Sequence, residues 1–319
     1  MINNKIAVVL LNLGGPDSLN AVQPFLYNLF CDPDIFKIPV GQKLFAKFIS
    51  KLRAPKVTEE YKLIGGNSPI NYWTELQKEK LQNKLNDVSN NFKVFVAMRY
   101  WNPLIKDVAK EIESSNFEKV ILLPLYPHYS ITTTGSSFNE WHRYFNSNVE
   151  LIKVNSYQKN KKYIQAINQR INESLNQFDE KIRSEVQLVF SAHGTPLSLV
   201  KNGDPYFHHI NETVNEVMKL RNNSHEYHLC FQSKVGPMKW LEPSTDKMIE
   251  NLANKNKRHL LIIPISFVSD HIETLFELNI EYRHVAEKVG ILNYVVMEGL
   301  NDSDIFIDAL TELVLDELK

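Results

Sequence analysis

A chain of 319 residues, 43% of them hydrophobic, can bury a substantial core, and its length suits one large domain or two smaller ones. A formal net charge of -1 supplies no basic field to hold a polyanion, which argues against nucleic-acid binding. The only two cysteines, Cys31 and Cys230, lie far apart and outside any C-x-x-C spacing, so no disulfide framework, structural zinc site or iron–sulfur cluster is expected and a reducing, intracellular compartment fits.

The first apolar run, Ile6 to Leu11, is shorter than the roughly 20 residues of a membrane-spanning helix and lacks a basic leader. It runs into Asn12-Leu13-Gly14-Gly15-Pro16 and reads as a buried first strand. From Ile38 to Lys51 the pattern becomes amphipathic: Leu44, Phe45, Phe48 and Ile49 fall on one helical face with lysines beside them. That suits an interfacial helix, a lid over an apolar cleft, or a surface helix packed on the core. No other stretch is long enough to span a bilayer, so any membrane contact is expected to be peripheral.

Further short apolar runs follow at Val94 to Ala97, Val120 to Leu123, Val186 to Phe190, His228 to Phe231 and Leu260 to Ile263, with helical patterns between them. Continuous apolar strands alternating with helices predict a parallel sheet covered on both faces. Three strands have counterparts in the other half. Val9 to Pro16 parallels Val189 to Pro196, each a strand running into a Gly-containing turn closed by proline, which puts Leu13 and His193 in equivalent loops. Val94 to Pro103 parallels His228 to Pro237, and Leu122-Leu123-Pro124-Leu125 parallels Ile262-Ile263-Pro264-Ile265. The matching order predicts a duplicated doubly wound α/β unit. The expected lobes are 1–155, with a lip segment at about 36–70, and 156–319. Strand-end loops of such sheets are where ligands bind.

There is no G-x-G-x-x-G, no P-loop, and Ser191 is not in a G-x-S-x-G elbow, so nucleotide-binding and serine-hydrolase readings lack their motifs. His193 stands out because it ends an apolar strand inside a tight turn. The second signal is Asp270-His271-Ile272-Glu273-Thr274-Leu275-Phe276-Glu277-Leu278-Asn279-Ile280-Glu281. Glu273, Glu277 and Glu281 stand four residues apart, so on a helix they share a face, where like charges repel. Among apolar neighbours such a row suits passage of a divalent cation or of protons; on a solvated face it is only an acidic stripe.

Leu11 to Pro16, Ser191-Ala192-His193, Gln232-Ser233-Lys234-Val235-Gly236-Pro237-Met238 and Ser269 to Leu275 resemble the signatures of the ferrochelatases. The resemblance extends to Arg53 to Lys56, Tyr61, Ile64 to Ile70, Arg99-Tyr100, Tyr126 to Ser130 and Thr133 to Ser137, in the family's order along nearly the whole chain. It implies two similar Rossmann-like, doubly wound lobes around a porphyrin cleft, a chelatase-like fold. It also implies that Fe2+ is inserted into a porphyrin, with protoporphyrin IX favoured over coproporphyrin by the Thr133 to Ser137 and Gln232 to Trp240 stretches.

By the same resemblance His193 and Glu273 are catalytic and face each other across the macrocycle, and Glu277 and Glu281 extend a metal-handling row along a partly π-helical segment. Leu13, Arg53, Tyr61, Ser68, Arg99, Tyr100, Tyr129, Trp240 and His271 are the expected porphyrin-binding residues, with Arg53, Tyr61 and Ser68 meeting the propionates. Iron is then a substrate and no prosthetic group is expected; the chain stops at Lys319, without the cysteine-bearing segment that carries an iron–sulfur cluster in some members. Porphyrin and ferrous iron are the implied partners and the cytoplasm the implied location, with peripheral attachment to the inner face of the membrane and the oligomeric state left open. Metal insertion needs an apolar slot, removal of two N–H protons and temporary metal ligands. An imidazole kept neutral by an apolar slot, together with a carboxylate, meets that need. A chelatase for another tetrapyrrole or metal, and a haem carrier without enzymatic activity, are the alternatives.

Overall fold

In the computed structural model, residues 5–36, 38–234 and 238–319 are described. The chain divides into two compact units, Met1–Tyr157 with Asp302–Lys319, and Gln158–Asn301. The first holds β1 (Ile6–Asn12), β2 (Phe92–Met98), β3 (Lys119–Pro124) and β4 (Glu150–Lys153), all parallel, in the order β2-β1-β3-β4. The second holds β5 (Gln187–His193), β6 (Tyr227–Gln232), β7 (His259–Pro264) and β8 (Asn293–Val296), again parallel, in the order β6-β5-β7-β8.

The central strands are apolar throughout because both of their faces are covered. Ala7 to Leu11 are fully buried, as are Leu188 to Phe190 and Leu260 to Ile263. In the first unit Ile105, Val108 and Ile112 of the helix Ile105–Glu113 share a core cluster with Phe138 and Trp141 of Ser136–Tyr144, and with Ala7, Val9 and Leu11 of β1. In the second, Ile249 and Leu252 of the helix Thr245–Asn254 join Leu278, Val189, Leu260 and Ile262 in the corresponding cluster.

The duplication read from the sequence recurs in the backbone hydrogen bonds, with a correction to the second pair of strands, where Met98 matches Phe231 and Pro103 matches Pro243, not Gln232 and Pro237, because the loop after β6 is longer. Leu125 N–H donates to the Leu11 carbonyl at 2.8 Å and Ile265 N–H to the Ser191 carbonyl at 3.1 Å; Met98 N–H donates to the Pro103 carbonyl and Phe231 N–H to the Pro243 carbonyl. The registers Asn12↔Met98 and Ala192↔Phe231 then make Leu13 equivalent to His193, Arg99 to Gln232 and Tyr100 to Ser233. In both units the third strand leads into a π-helix, Ile131–Gly135 in the first and Glu273–Glu281 in the second.

One boundary differs from the expected lobes. The final helix, Asp304–Asp316, belongs with the first unit, where Phe306, Leu310 and Val314 are buried and Lys80 and Lys84 of the helix Ile70–Val88 pair with Asp302 and Asp308. Its amphipathic pattern reports a face to be covered but not which sheet covers it.

Candidate active site

His193 is the last residue of β5. Its backbone is held from two sides, by its N–H donating to Ser266 Oγ at 2.8 Å and by Tyr206 donating its hydroxyl to the His193 carbonyl at 3.0 Å. Gly194 follows, and a Cβ there would lie 2.6 Å from the Gln232 carbonyl oxygen, so only glycine permits this approach of the β5 and β6 ends. The imidazole keeps 40% of its side-chain surface open, and its Nδ1 lies 2.8 Å from Glu273 Oε2, at the first residue of the π-helix.

That contact corrects one expectation. Two side chains in direct hydrogen-bond contact leave no room for a macrocycle between them, so His193 and Glu273 form one polar pair on a single side of any ligand.

The pair also works against the neutral imidazole expected from burial alone. Loss of water acts to lower the His193 pKa, but the charge and hydrogen bond of Glu273, with the charge of Glu277, outweigh it and raise the value above the ordinary 6.5. Burial acts to raise Glu273, yet His193, His271 and Ser233 together hold it well below the usual carboxylate range. Glu277 goes the other way, raised by burial and by the Glu273 charge beside it. Glu277 accepts from Ser233 N–H at 2.7 Å and from Tyr282 at 3.0 Å. Glu281, the third carboxylate of the row, is exposed at the end of the π-helix. Among the described residues no group of three or more His, Cys, Asp or Glu is arranged to hold a metal ion.

His271 is buried, with Nδ1 on the Ser269 carbonyl at 3.1 Å and its ring 4.3 Å from that of Phe267, which also edges against His193. Its Nε2 has no hydrogen-bond partner and stands 3.9 Å from Glu273 Oε1. Trp240 bridges to Pro196 and passes beside Gly194, with its indole N–H buried and unbonded. Val235, Gly236 and Pro237 of the same motif lie outside the described residues, as does Lys37 of the lip segment.

The other expected porphyrin-binding residues belong to the first unit. Leu13 is half-buried in the loop after β1, and Ser68 is buried, its N–H on the Pro16 carbonyl at 2.8 Å. Arg53 and Tyr61 lie on the helix Gln42–Leu63, Arg53 half-exposed and Tyr61 buried, and Tyr129 is half-buried after β3. Arg99 and Tyr100 are occupied within the protein: Arg99 Nη2 meets Asp32 Oδ1 at 3.0 Å, and the Tyr100 hydroxyl donates to Asp32 Oδ2 at 2.7 Å. Ser136 donates to the same carboxylate and accepts from Arg99 Nε. Asp32 had no signal in the sequence, since nothing in a lone Asp-Pro marks a buried carboxylate, and Ser136, though inside the Thr133 to Ser137 stretch, carried no sign of its bond to it. Ser233 and Gln232 lay inside a recognised motif, but their bonds to the glutamates depend on backbone geometry no pattern reveals.

A model of the family described as Ferrochelatase matches residues 5–318. The chain belongs to the ferrochelatase family. It is 49% identical over 315 residues to the ferrochelatase of Geotalea uraniireducens (strain Rf4), covering 97% of each chain, and 45% identical over 318 residues to that of Geotalea daltonii (strain DSM 22248 / JCM 15807 / FRC-32), covering 98% of each. Solved structures share the fold. SirB from Bacillus subtilis with Fe3+ aligns with a TM-score of 0.56 at 10% identity, over 98% of this chain and 95% of SirB. CbiX, described as the terminal enzyme for biosynthesis of siroheme in denitrifying bacteria, aligns at 0.53 and 9% identity over 98% of this chain and 100% of its own. As a ferrochelatase-family lyase, this chain takes a porphyrin and ferrous iron as substrates in haem synthesis.

Proposed function

We propose that the chain inserts Fe2+ into protoporphyrin IX to give protohaem and two protons, with His193 and Glu273 at the centre. The observation that carries this assignment of roles is the 2.8 Å contact between His193 Nδ1 and Glu273 Oε2 at a strand end, with Glu277 gathered beside it. Burial and the charges of the three groups on one another shift their ionisation in different directions, which is the arrangement that proton transfer and transient metal ligation use. Because His193 favours its protonated form when paired, it must first lose its proton before it can accept one from a pyrrole N–H or bind iron. Glu273, held well below the usual carboxylate range, is a poor receiver for it; Glu277, raised by burial and by the Glu273 charge, is the better-matched one. Imidazole and carboxylate oxygens are ligands that a first-row divalent ion exchanges readily in transit.

Trp240 and His271, with Leu13, Arg53, Tyr61, Ser68, Arg99, Tyr100 and Tyr129, are the proposed porphyrin-binding set, and Glu277 and Glu281 the continuation of the metal row. Arg53, Tyr61 and Ser68 supply the charge and hydrogen bonds that propionates require. Arg99 and Tyr100 contribute through the shape that the Asp32 network gives their loop.

We place the chain in the cytoplasm with a peripheral membrane contact. No helix among the described residues is long and apolar enough to cross a bilayer. The support is a line of exposed apolar side chains, Val40 at 89%, Leu44 at 75%, Phe48 at 70% and Leu52 at 64%, spaced four apart and accompanied by Lys43, Lys47 and Lys51.

Anaerobic assays with ferrous iron and either protoporphyrin or coproporphyrin test the reading, with cobalt and zinc as competing ions. Protohaem formation is expected. Preference for coproporphyrin overturns the substrate assignment, and tight haem binding without metallation overturns the enzyme.

A further inference from the structure

We infer that Gln232 and Ser233 are positioning residues of the metallation reaction, a clamp that holds the Glu273 and Glu277 carboxylates side by side. The inference rests on the reading of His193 and Glu273 as the reaction centre. Two carboxylates brought together without water repel each other, so something must hold them. Ser233 donates its backbone N–H to Glu277 Oε1 at 2.7 Å, and its hydroxyl faces both Glu277 Oε2 and Glu273 Oε2, the latter at 3.1 Å. The Gln232 amide reaches the same two oxygens at 3.3 and 3.4 Å.

Gln232 is aimed by its own surroundings. Ser191 Oγ donates to Gln232 Oε1 at 3.0 Å and is itself bonded to Thr245 Oγ1 at 2.8 Å, all within the buried sheet end. With the amide oxygen thus occupied, the NH2 group turns to the glutamates.

The backbone of Ser233 is the second, independent observation. Its φ is +63°, and every other non-glycine residue with positive φ among the described residues is an asparagine: Asn222, Asn223, Asn256 and Asn301. Asparagine tolerates the left-handed region well, whereas serine is unusual there. Left-handed backbone at a functional position persists because its surroundings enforce it. Here the conformation turns the N–H and the hydroxyl of one residue toward the same pair of carboxylates. The equivalent pair in the first unit, Arg99 and Tyr100, also grips an acid, Asp32, so the position after the second strand serves the same purpose twice.

The test compares Ser233→Gly, Ser233→Asn and Gln232→Leu with the unaltered protein and with His193→Ala. Glycine suits the left-handed backbone and keeps the N–H but lacks the hydroxyl; asparagine suits it and restores a donor. For Ser233→Gly we expect an unchanged or higher melting temperature, unchanged porphyrin affinity by fluorescence quenching, and kcat lowered roughly ten- to hundredfold. Asparagine should recover part of that loss. Full kcat in both Ser233→Gly and Gln232→Leu overturns the clamp, as does a loss that merely tracks melting temperature or porphyrin affinity. If His193→Ala is fully active the reaction centre itself is misplaced; if it is inactive while the clamp variants are normal, only the clamp fails.

Discussion

His193 and His271 flank a single carboxylate, Glu273, and are driven in opposite directions by it and by burial. His193, 2.8 Å from Oε2, is raised above the ordinary imidazole value, whereas His271, 3.9 Å from Oε1 and buried, is lowered because removal from water outweighs the more distant charge. The same carboxylate acts to raise both imidazoles, and only at His271 does burial win.

This difference is open to NMR titration. The His193 ring should titrate above 6.5 and the His271 ring below it. In Glu273→Gln the His193 value should fall, because burial then opposes only the Glu277 charge. An unshifted His193 in that variant would contradict the pairing.

The pair also sets a pH window for stability. Protonated His193 is stabilised by folding, so its contribution is complete below 6.5 and is lost as pH rises through its raised value. Glu273 is depressed to about 2 from 4.5, so its contribution is complete above 4.5 and is lost as pH falls toward 2. Both are complete together only between about 4.5 and 6.5 and fade gradually outside it. In denaturant unfolding, the stability lost in His193→Ala should therefore be largest inside that window and shrink on either side.

Along the acidic row the effects should be graded. Glu273→Gln is expected to slow metallation about 100-fold or more, in the range of a lost acid–base group. Glu281→Gln, at the exposed end, should act mainly on the KM for ferrous iron, by less than about tenfold. Equal losses of kcat at both positions would sink the idea of a direction along the row.

In the first unit, Asp32→Ala should destabilise strongly. The Asp32 side chain is fully buried and that of Arg99 only 7% exposed, so removing the carboxylate strands a cation together with the Tyr100 and Ser136 hydroxyls. Breaking a buried pair in this way costs about 3–5 kcal/mol. A shift below about 1 kcal/mol in chemical denaturation would show that Glu140, 3.5 Å from Arg99, takes over the charge.

Phe306 offers a packing test of the returning helix. It is completely buried, and Phe306→Ala should remove about 3–5 kcal/mol, read as a lowered denaturation midpoint. A surface-like effect would mean that the last helix does not complete this core.

The legible and illegible parts of the molecule divide along physical lines. Six strands were readable, most plainly the four inner ones, where burial on both faces makes Ala7 to Leu11 or Leu260 to Ile263 uniformly apolar. The edge strands Glu150–Lys153 and Asn293–Val296 were not, being four residues long and only partly buried, unlike the longer edge strands β2 and β6. His193 showed itself through its place at a strand end. Its proton did not, because that depends on a carboxylate 80 residues away reaching it. The strained backbone of Ser233 leaves no trace in a hydropathy pattern, and serine is not a residue that announces a left-handed turn.

The return of the last helix to the first unit has a bearing on synthesis. Nascent domains usually mature from the amino terminus onward as they leave the ribosome. Here the sheet of the first unit waits for residues 302–319, so a segment made after the whole second unit closes the body begun before it. During translation the second unit, contiguous over Gln158–Asn301, is complete while the first is still missing the helix that buries Phe306, and a stalled or prematurely terminated polypeptide would carry that unfinished surface to chaperones and proteases.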